Sequence, residues 1–316
     1  MKVAILDDYL GAAREVADWS EVEARATVTA FRQPFASPDE TVAALAGYDV
    51  LCLMRDRTPL SAQTLARLPD VKLITFNGRG NATLDIAAAR AQGIAVARGE
   101  RNRQESTSEL IWALIMATVR QLPANDASLR AGTWQHSLGT TLYGKTIGIV
   151  GLGKLGRRIA GYAQAFGMSV IAWSPHLTPE AAAEAGAVAV TFDELLSTAD
   201  VVTVHVALND GTRGLIGSRE IGLMRPSAYL INTSRGPIVD ATALVVALTS
   251  GAIAGAGLDV YDVEPVPAGD PLLGAPNTVL LPHIGFVSRE NMLTFYEDTV
   301  ENVVAWLNGS PIHLVE

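Results

Sequence analysis

Cysteine is almost absent from this chain: Cys52 is the only one in 316 residues. One thiol cannot form a disulfide within the chain, so a disulfide-stapled secreted scaffold is excluded. The surrounding residues 50–54 are apolar, which predicts a small buried side chain rather than a catalytic thiol. This cysteine usage suits a reducing cytosol, and we predict no metal site.

Long apolar runs and an excess of positive charge are also missing. The longest nearly uninterrupted apolar run, residues 110–119, is closed by Glu109 and Arg120 and is too short to span a bilayer. Residues 1–6 begin a strand at once and have no signal-peptide profile. The net charge of −9 argues against nucleic acid or an anionic membrane surface as a partner. We therefore predict a cytoplasmic protein without membrane or nucleic-acid contact.

The composition is that of a globular chain, with 49% hydrophobic and 18% charged residues. Short β-rich runs alternate with Ala-rich helical runs, which is typical of parallel sheets with helices on both faces. We predict an α/β fold of two Rossmann-like or flavodoxin-like parallel-sheet domains separated by a cleft. Residues 101–286 are the predicted dinucleotide-binding domain, and residues 1–100 with 287–316 are a discontinuous substrate-binding domain.

Two helices are predicted where these domains join. One covers residues 104–121 and is stopped by Pro123. The other covers Arg289–Leu307, where apolar side chains recur at helical spacing. Because this second helix follows the last strand of the cofactor domain, we expect it to pack back on the first domain.

A glycine motif of the form GxGxxG follows the apolar strand Thr146–Val150 and precedes a helical run. Strand, glycine turn and helix together form the arrangement that holds a dinucleotide pyrophosphate. Gly151 permits the tight turn, Gly153 allows backbone N–H groups to approach the phosphates, and Gly156 allows close packing of the helix on the strand. The predicted cofactor-binding residues of this motif are Gly151, Gly153, Lys154, Leu155 and Gly156.

Polar side chains follow three later strands of the same domain, at the edge where open α/β sheets bind ligands. Arg235 lies in a Ser-Arg-Gly turn, and His283 ends the last strand. Asp259 and Glu264 follow the strand between them. Taken singly, the arginine is typical of a surface cation and the histidine of a structural residue. A cation, a carboxylate and an imidazole together beside a dinucleotide turn indicate an active site.

At these residues the chain resembles the D-isomer-specific 2-hydroxyacid dehydrogenase family, nearly end to end. Arg235, Glu264 and His283 keep the family's order, 29 residues apart (264 − 235) and then 19 (283 − 264). The matching segments are residues 144–156, 200–205, 232–240, 258–265 and 282–285. The resemblance implies hydride transfer between NAD(P)H and a small 2-oxo acid to give a D-2-hydroxy acid. It also implies a homodimer formed through the cofactor domain, with helix 104–121 and the loop around Trp134 as contributors.

The resemblance also implies roles for the site residues. His283 would supply the proton in reduction, while Glu264 keeps the imidazole protonated and orients it. Arg235 would bind the substrate carboxylate and polarise the carbonyl. Asp259 would hold the nicotinamide side. Other residues expected to line the cofactor pocket are Val206, Thr233 and Ser234.

In the first domain, residues 76–81 correspond to the family's glycine loop, whose backbone N–H groups hold the substrate carboxylate. Arg79 departs there from the family's small residues, and either adds a cation to the substrate pocket or forms a salt bridge across the cleft. Arg55 and Arg57 resemble the cations of members with phosphorylated substrates, although loop arginines are often only solvated. The predicted substrate-binding residues are Arg55, Arg79, Gly80 and Arg235.

The cofactor choice depends on Ser174, 18 residues after Gly156 (174 − 156). NAD-preferring members place an acid here for the ribose hydroxyls. A serine removes the repulsion against a 2′-phosphate, yet only Lys154 and His176 stand ready to bind one. NAD and NADP therefore both stay open.

Two rival functions also stay open. A 3-phosphoglycerate dehydrogenase is the enzymatic rival, because of Arg55 and Arg57. The sequence ends at Glu316, so the regulatory C-terminal domain of many such enzymes is expected to be absent. A dinucleotide-sensing regulator, like the corepressors of this fold, is the rival of another class, and intact catalytic residues disfavour it. A glyoxylate- or hydroxypyruvate-type substrate is favoured, while residues 286–288, larger than in many relatives, leave the acid and the reaction direction open.

Overall fold

The computed structural model describes residues 1–78, 80–101 and 103–315. The chain divides into two compact units, Met1–Arg103 with Phe286–Glu316, and Gln104–Gly285. The first unit is therefore discontinuous in sequence. Arg79, one of the predicted substrate contacts, lies outside the described residues.

The first unit is built on a five-stranded parallel sheet in the order β2-β1-β3-β4-β5. This is the strand order of flavodoxin-like folds. Its strands are β1 Lys2–Ile5, β2 Thr27–Ala30, β3 Val50–Leu53, β4 Leu73–Phe76 and β5 Ala95–Arg98. Its helices are α1 Ala13–Val16, α2 Ser20–Glu23, α3 Pro38–Leu45, α4 Ala62–Leu65, α5 Ile86–Ala91 and α13 Arg289–Leu307. The bounds predicted for α13 are confirmed.

Helices cover both faces of this sheet, and its central strands β3 and β4 are buried and almost entirely apolar. Every residue of β3 and β4 is buried, which is typical of parallel strands between two helical layers. Phe295, Tyr296 and Val303 of α13 join an apolar cluster that also contains Cys52. Burial raises the pKa of the Cys52 thiol, so the prediction of a small buried side chain is confirmed.

The second unit contains a seven-stranded parallel sheet in the order β12-β11-β10-β9-β6-β7-β8. Its strands are β6 Thr146–Val150, β7 Ser169–Trp173, β8 Val188–Ala189, β9 Val201–Val204, β10 Tyr229–Asn232, β11 Gly255–Leu258 and β12 Thr278–Leu280. Its helices are α6 Gln104–Val119, α7 Leu122–Arg130, α8 Lys154–Ala165, α9 Pro179–Ala183, α10 Phe192–Thr198, α11 Ser218–Leu223 and α12 Ala241–Ser250. The strand order reverses where β6 pairs with β9, which is the place where such sheets bind ligands.

The helix predicted over residues 104–121 is present as α6, but the prediction that Pro123 stops it was wrong. α6 ends at Val119, and Gln121 takes a left-handed backbone conformation with φ of 49°. Pro123 then lies in the first turn of α7 instead of ending α6. Proline is well tolerated there, because a first-turn N–H has no partner within the helix.

Across residues 1–78, 80–101 and 103–315, no helix combines the length and apolar character needed to cross a bilayer. The longest helix among them is α13, with 19 residues. Charged side chains along it include those of Arg289, Glu290, Glu297 and Asp298.

Candidate active site

The glycine turn after β6 needs two of its three glycines for steric reasons. Gly151 has φ of 105°, and a Cβ there would lie 2.7 Å from the backbone nitrogen of Val206. A Cβ on Gly156 would lie 2.3 Å from the Gly151 carbonyl oxygen. A side chain at position 156 would therefore displace α8 from the turn, and one at position 151 would displace the turn from Val206.

Gly153 serves a different purpose, because the space around it is open. No atom lies within 4 Å of the place where its Cβ would stand. Gly153 is the N-cap of α8 and offers no side chain to the first-turn N–H groups of Lys154 and Leu155. An open cradle in front of uncapped helix donors fits a pyrophosphate, which the helix dipole also attracts.

Ser174 follows β7 and lies beside this turn. Its hydroxyl oxygen accepts a hydrogen bond from the Leu152 N–H at 2.9 Å. Lys154 and His176, the two side chains predicted to meet a 2′-phosphate, are both exposed. Arg157 is engaged elsewhere, with the Ala181 carbonyl at 3.1 Å.

Beyond β9 and β10, the loops that carry Val206, Thr233 and Ser234 are joined to each other. The Ser234 hydroxyl donates to the Val206 carbonyl at 2.5 Å. Asn232 organises the second loop, because its Oδ1 accepts from Ser234 N–H and its Nδ2 donates to the Arg235 carbonyl. The Thr233 hydroxyl is buried and has no hydrogen-bond partner among the described residues. A buried hydroxyl without a partner, next to the Ser234 that bonds to Val206, is what a cofactor site would leave for its ligand.

Arg235 reaches the site because its turn packs closely against the turn after β11. A Cβ on Gly236 would lie 2.0 Å from the carbonyl carbon of Tyr261, so only glycine fits there. This approach brings the Arg235 guanidinium near enough to Glu264 for its charge to lower the pKa of that carboxyl. Arg235 also donates from Nη1 to the Ser234 carbonyl at 2.8 Å.

Glu264 and His283 form a close pair. His283 Nδ1 donates to Glu264 Oε2 at 2.5 Å, and the Tyr261 N–H donates to the other oxygen, Oε1, at 2.9 Å. Their side chains are 30% and 27% exposed, so a substrate has access to the pair. Burial raises the pKa of Glu264, but the His283 hydrogen bond and charge, the Tyr261 N–H and Arg235 outweigh it and hold that pKa below its ordinary value.

Asp259 fixes the backbone that carries His283. Its carboxylate, which is 1% exposed, accepts from the N–H groups of Ile284 and Gly285, each at 2.8 Å. His283 has φ of 54°, a left-handed conformation that is strained for a residue with a Cβ. Burial raises the pKa of Asp259 above its ordinary value, against the two N–H donors and the His283 charge.

These contacts bring the predicted residues Arg235, Asp259, Glu264 and His283 together at the carboxyl edge of one sheet. With Nδ1 facing Glu264, the Nε2 of His283 is the ring nitrogen that can exchange a proton with a substrate. A guanidinium close by can hold a carboxylate. The arrangement is therefore suited to proton transfer on an anionic substrate.

In the first unit, the predicted contacts Arg55 and Gly80 follow neighbouring strands. Arg55 has φ of 57°, and its Nη1 lies 3.4 Å from the Asn77 carbonyl oxygen. Gly78 makes room for this guanidinium, because a Cβ there would lie 2.0 Å from Nη1. Asn81 Nδ2 donates to the Arg55 carbonyl at 2.7 Å, while the surroundings of Gly80 are open.

Two residues of the second unit were missed by sequence reasoning. His205, directly after β9, bonds through Nε2 to Thr203 Oγ1 at 3.0 Å, and burial lowers the pKa of His205 to about 4. Tyr261 lies between Asp259 and Glu264 and is 7% exposed. No local pattern in the sequence indicated the burial of His205, and the partner of the Tyr261 hydroxyl, Leu281, is 20 residues away.

Comparison with known protein families identifies the family of this chain. The family model for the NAD binding domain of D-isomer specific 2-hydroxyacid dehydrogenases matches residues 112–285, which is 174 of 316 residues (285 − 112 + 1). The chain belongs to this family. The matched range contains the glycine turn, Arg235, Glu264 and His283. The predicted family resemblance and the predicted α/β fold with two parallel sheets are confirmed.

Individual members of the dehydrogenase family cover the chain to different extents. The glyoxylate reductase of Thermococcus litoralis is 40% identical over 263 residues, which is 80% of this chain and 79% of that protein. The D-3-phosphoglycerate dehydrogenase of Mycobacterium tuberculosis is 37% identical over 273 residues. That match covers 86% of this chain but 51% of the relative, so the chain spans about half the length of the phosphoglycerate enzyme. The crystal structure of a phosphoglycerate oxidoreductase from Vibrio cholerae superposes with a TM-score of 0.91 at 34% identity, over 98% of this chain and 99% of that one.

Proposed function

We propose that this chain is an NAD(P)-dependent D-2-hydroxyacid dehydrogenase that reduces a small 2-oxo acid of the glyoxylate or hydroxypyruvate type. The observation that carries the proposal is the His283–Glu264 pair at 2.5 Å, with Arg235 beside it, in a unit that also holds the glycine turn. Family membership supports the same chemistry. A single cysteine that is free and buried agrees with a cytoplasmic location.

The reaction divides between the cofactor and the side chains of the site. When bound, the reduced dinucleotide supplies a hydride, with its electron pair, to the carbonyl carbon of the 2-oxo acid. The carbonyl π electrons then move to oxygen, which takes a proton from Nε2 of His283. Glu264 stabilises the imidazolium before transfer, and Arg235 holds the substrate carboxylate. Gly151, Gly153, Lys154, Leu155 and Gly156 would hold the pyrophosphate, with Val206, Thr233, Ser234 and Asp259 on the nicotinamide side.

The direct test is turnover of a panel of 2-oxo acids with NADH and with NADPH. His283→Ala should lower kcat by about two to four orders of magnitude and leave dinucleotide binding intact. The matched control is His176→Ala assayed with NADH, because His176 is exposed and was predicted only to help bind a 2′-phosphate, which NADH lacks. A parent that binds dinucleotide but reduces no 2-oxo acid would contradict the proposal and favour the dinucleotide-sensing regulator.

Reduction of a phosphorylated 2-oxo acid is the second candidate, and Arg57 is the observation that favours it. Its guanidinium lies over the rings of Tyr9 and Phe286, 4.5 Å and 5.2 Å from their centroids. Within the described part of the chain, no carboxylate lies within ion-pair distance of it. Its Nη1 donates to the Asp7 carbonyl at 3.3 Å, and the remaining N–H groups along the guanidinium edge can donate to an anion. If Arg57 and Arg55 bind a phosphate, Arg57→Gln should raise KM for phosphohydroxypyruvate and not for hydroxypyruvate.

We also propose a homodimer through the second unit. α7 buries none of its own side chains, and Trp134, Leu138 and Tyr143 after it are 79%, 96% and 79% exposed. Apolar groups this exposed are typical of an interface, and a second copy would cover them by two-fold symmetry. Light scattering should give twice the chain mass of 33.4 kDa. Leu138→Glu should give monomers, whereas Leu10→Glu, at a 63% exposed position of the first unit, should not. A monomeric parent would contradict this proposal.

A further inference from the structure

Three segments that carry the site residues meet at Tyr261. Arg235 follows β10, Glu264 follows β11 and His283 follows β12. Tyr261 itself is buried in the apolar core under β10 and β11. Each of the three segments touches a different part of this residue.

The first contact is made by the Tyr261 backbone nitrogen. Its N–H donates to Glu264 Oε1 at 2.9 Å, the oxygen that does not face His283. Both oxygens of the Glu264 carboxylate are therefore engaged, one by a backbone N–H and one by the imidazole. The carboxylate cannot rotate without losing one of these bonds.

The second contact is made by the phenol. Tyr261 Oη donates to the Leu281 carbonyl at 2.9 Å, two residues before His283. Burial, followed by the charges of Asp259 and Glu264, raises the pKa of Tyr261 to about 12. The hydroxyl thus stays a hydrogen-bond donor throughout the physiological range.

The third contact is steric. The Tyr261 carbonyl carbon lies where a Cβ of Gly236 would come within 2.0 Å, and the Asp262 nitrogen would be at 2.5 Å. The turn that carries Arg235 therefore rests directly on the Tyr261 peptide. Its position relative to Glu264 follows from this packing.

We propose that Tyr261 is a positioning residue for the dehydrogenase reaction, in which its phenol and its backbone N–H together set the separation of His283 from Glu264. The inference rests on the proposed function of that pair. The Glu264 carboxylate is bound by the backbone N–H of Tyr261, and the segment that carries His283 is bound by the Tyr261 hydroxyl. The two anchors keep a fixed separation because a tyrosine side chain has few rotatable bonds. Such supporting hydrogen bonds hold reacting groups in their productive geometry.

Tyr261→Phe tests this, because it removes one oxygen and leaves the backbone N–H and the Gly236 packing in place. We expect kcat for the best 2-oxo acid to fall about three- to tenfold, with KM within about twofold of the parent. We also expect the upper limb of the pH–rate profile for reduction to move to lower pH by roughly half a unit, because the imidazolium loses part of its contact with Glu264.

Tyr229→Phe is the matched control. Tyr229 is 5% exposed in the same unit and bonds through its hydroxyl to Thr140 Oγ1 at 3.0 Å, at the opposite end of β10. Loss of the Tyr229 hydroxyl should lower Tm about as much as loss of the Tyr261 hydroxyl. It should leave kcat and the upper limb of the pH–rate profile unchanged. If the two variants have the same kcat and the same pH profile as the parent, Tyr261 has only a structural role and the inference is overturned.

A second readout does not depend on turnover and separates this inference from the proposed function. The proton between His283 Nδ1 and Glu264 Oε2 should give a low-field ¹H NMR resonance in the parent. It should move upfield in Tyr261→Phe and not in Tyr229→Phe. An unmoved resonance would overturn the inference, whereas absence of turnover by the parent would overturn the function alone.

Discussion

At the scale of single residues, the pair of Glu264 and His283 makes the sharpest prediction. The pKa of Glu264 is held below its ordinary value, so this carboxylate is ionised at neutral pH and stabilises the imidazolium. Glu264→Gln removes the negative charge that faces His283 Nδ1, so the imidazolium form loses its charged partner. We expect the upper limb of the kcat/KM profile for reduction to move down by about one pH unit.

The control for this prediction is Glu180→Gln, at an exposed position in the first turn of α9. It should reproduce the parent profile. A Glu264→Gln profile that overlays the parent would show that the pair does not govern protonation during turnover.

Ser174 makes a second prediction, about cofactor choice. Its hydroxyl meets the Leu152 N–H at 2.9 Å, which places position 174 at the glycine turn. Ser174→Asp should add a charge-assisted bond to a ribose hydroxyl and place like charge against a 2′-phosphate. The ratio of kcat/KM for NADH over NADPH should rise at least about tenfold, or ~1.4 kcal/mol. Ser174→Asn, without the charge, should change it less, and an unchanged ratio would mean that position 174 does not face the ribose.

Arg235 and His283 could be placed at strand ends from the sequence, because each lies within four residues after an apolar run that predicts a strand. Tyr261 could not be assigned a role in the same way. Its function depends on which carbonyl meets its phenol, and Leu281 is 20 residues away in sequence. Hydrogen-bond partners of this kind are set by the register of neighbouring strands rather than by a local pattern.

At the scale of elements, helix starts and stops were predicted best where capping and periodicity agree. Ser288 caps α13 by accepting from the Asn291 N–H, and the predicted bounds of that helix hold. The end of α6 was predicted two residues late, at 121, and α7 was not predicted, because glutamine does not favour the left-handed conformation that Gln121 takes between them. The local pattern of residues 104–130 does not show whether Pro123 ends one helix or begins the next.

The start of α13 also supplies a stability prediction. The Asn291 side chain, fully buried, accepts from the Arg103 N–H at 2.9 Å and donates to the Phe286 carbonyl at 2.7 Å. Asn291→Ala leaves both backbone groups without this partner and should lower the free energy of unfolding by about 2 kcal/mol or more. Ser288→Ala, which removes only the cap, should cost about 1 kcal/mol. Denaturant titrations that give equal losses would show that the Asn291 amide contributes no more than a helix cap.

At the scale of the whole molecule, the alternation of strands and helices was enough to predict two parallel sheets, because parallel strands need helical crossovers and leave this pattern in the sequence. The strand orders were not predictable from it. The seven-stranded order depends on which neighbours each strand pairs with, and residues such as Gly148 matter only through packing. A Cβ on Gly148 would lie 2.6 Å from the Leu195 side chain, a contact between residues 47 positions apart (195 − 148).

The stability of the protein as a function of pH is the last prediction, and it depends on His205. Burial lowers the pKa of His205 to about 4 in the folded chain, compared with about 6.5 when it is unfolded. The unfolded chain therefore binds a proton that the folded chain resists, and stability falls as the pH drops from about 6.5 towards about 4. Near pH 5 the loss from this residue should be about 2 kcal/mol relative to neutral pH.

The test is a pair of urea titrations, one at neutral pH and one at pH 5. The His205→Gln variant can still bond to Thr203, and its free energy of unfolding should fall by about 2 kcal/mol less than that of the parent between the two pH values. His176→Gln, at an exposed position, should behave like the parent, and an equal acid sensitivity of all three proteins would show that His205 is protonated freely in the folded state.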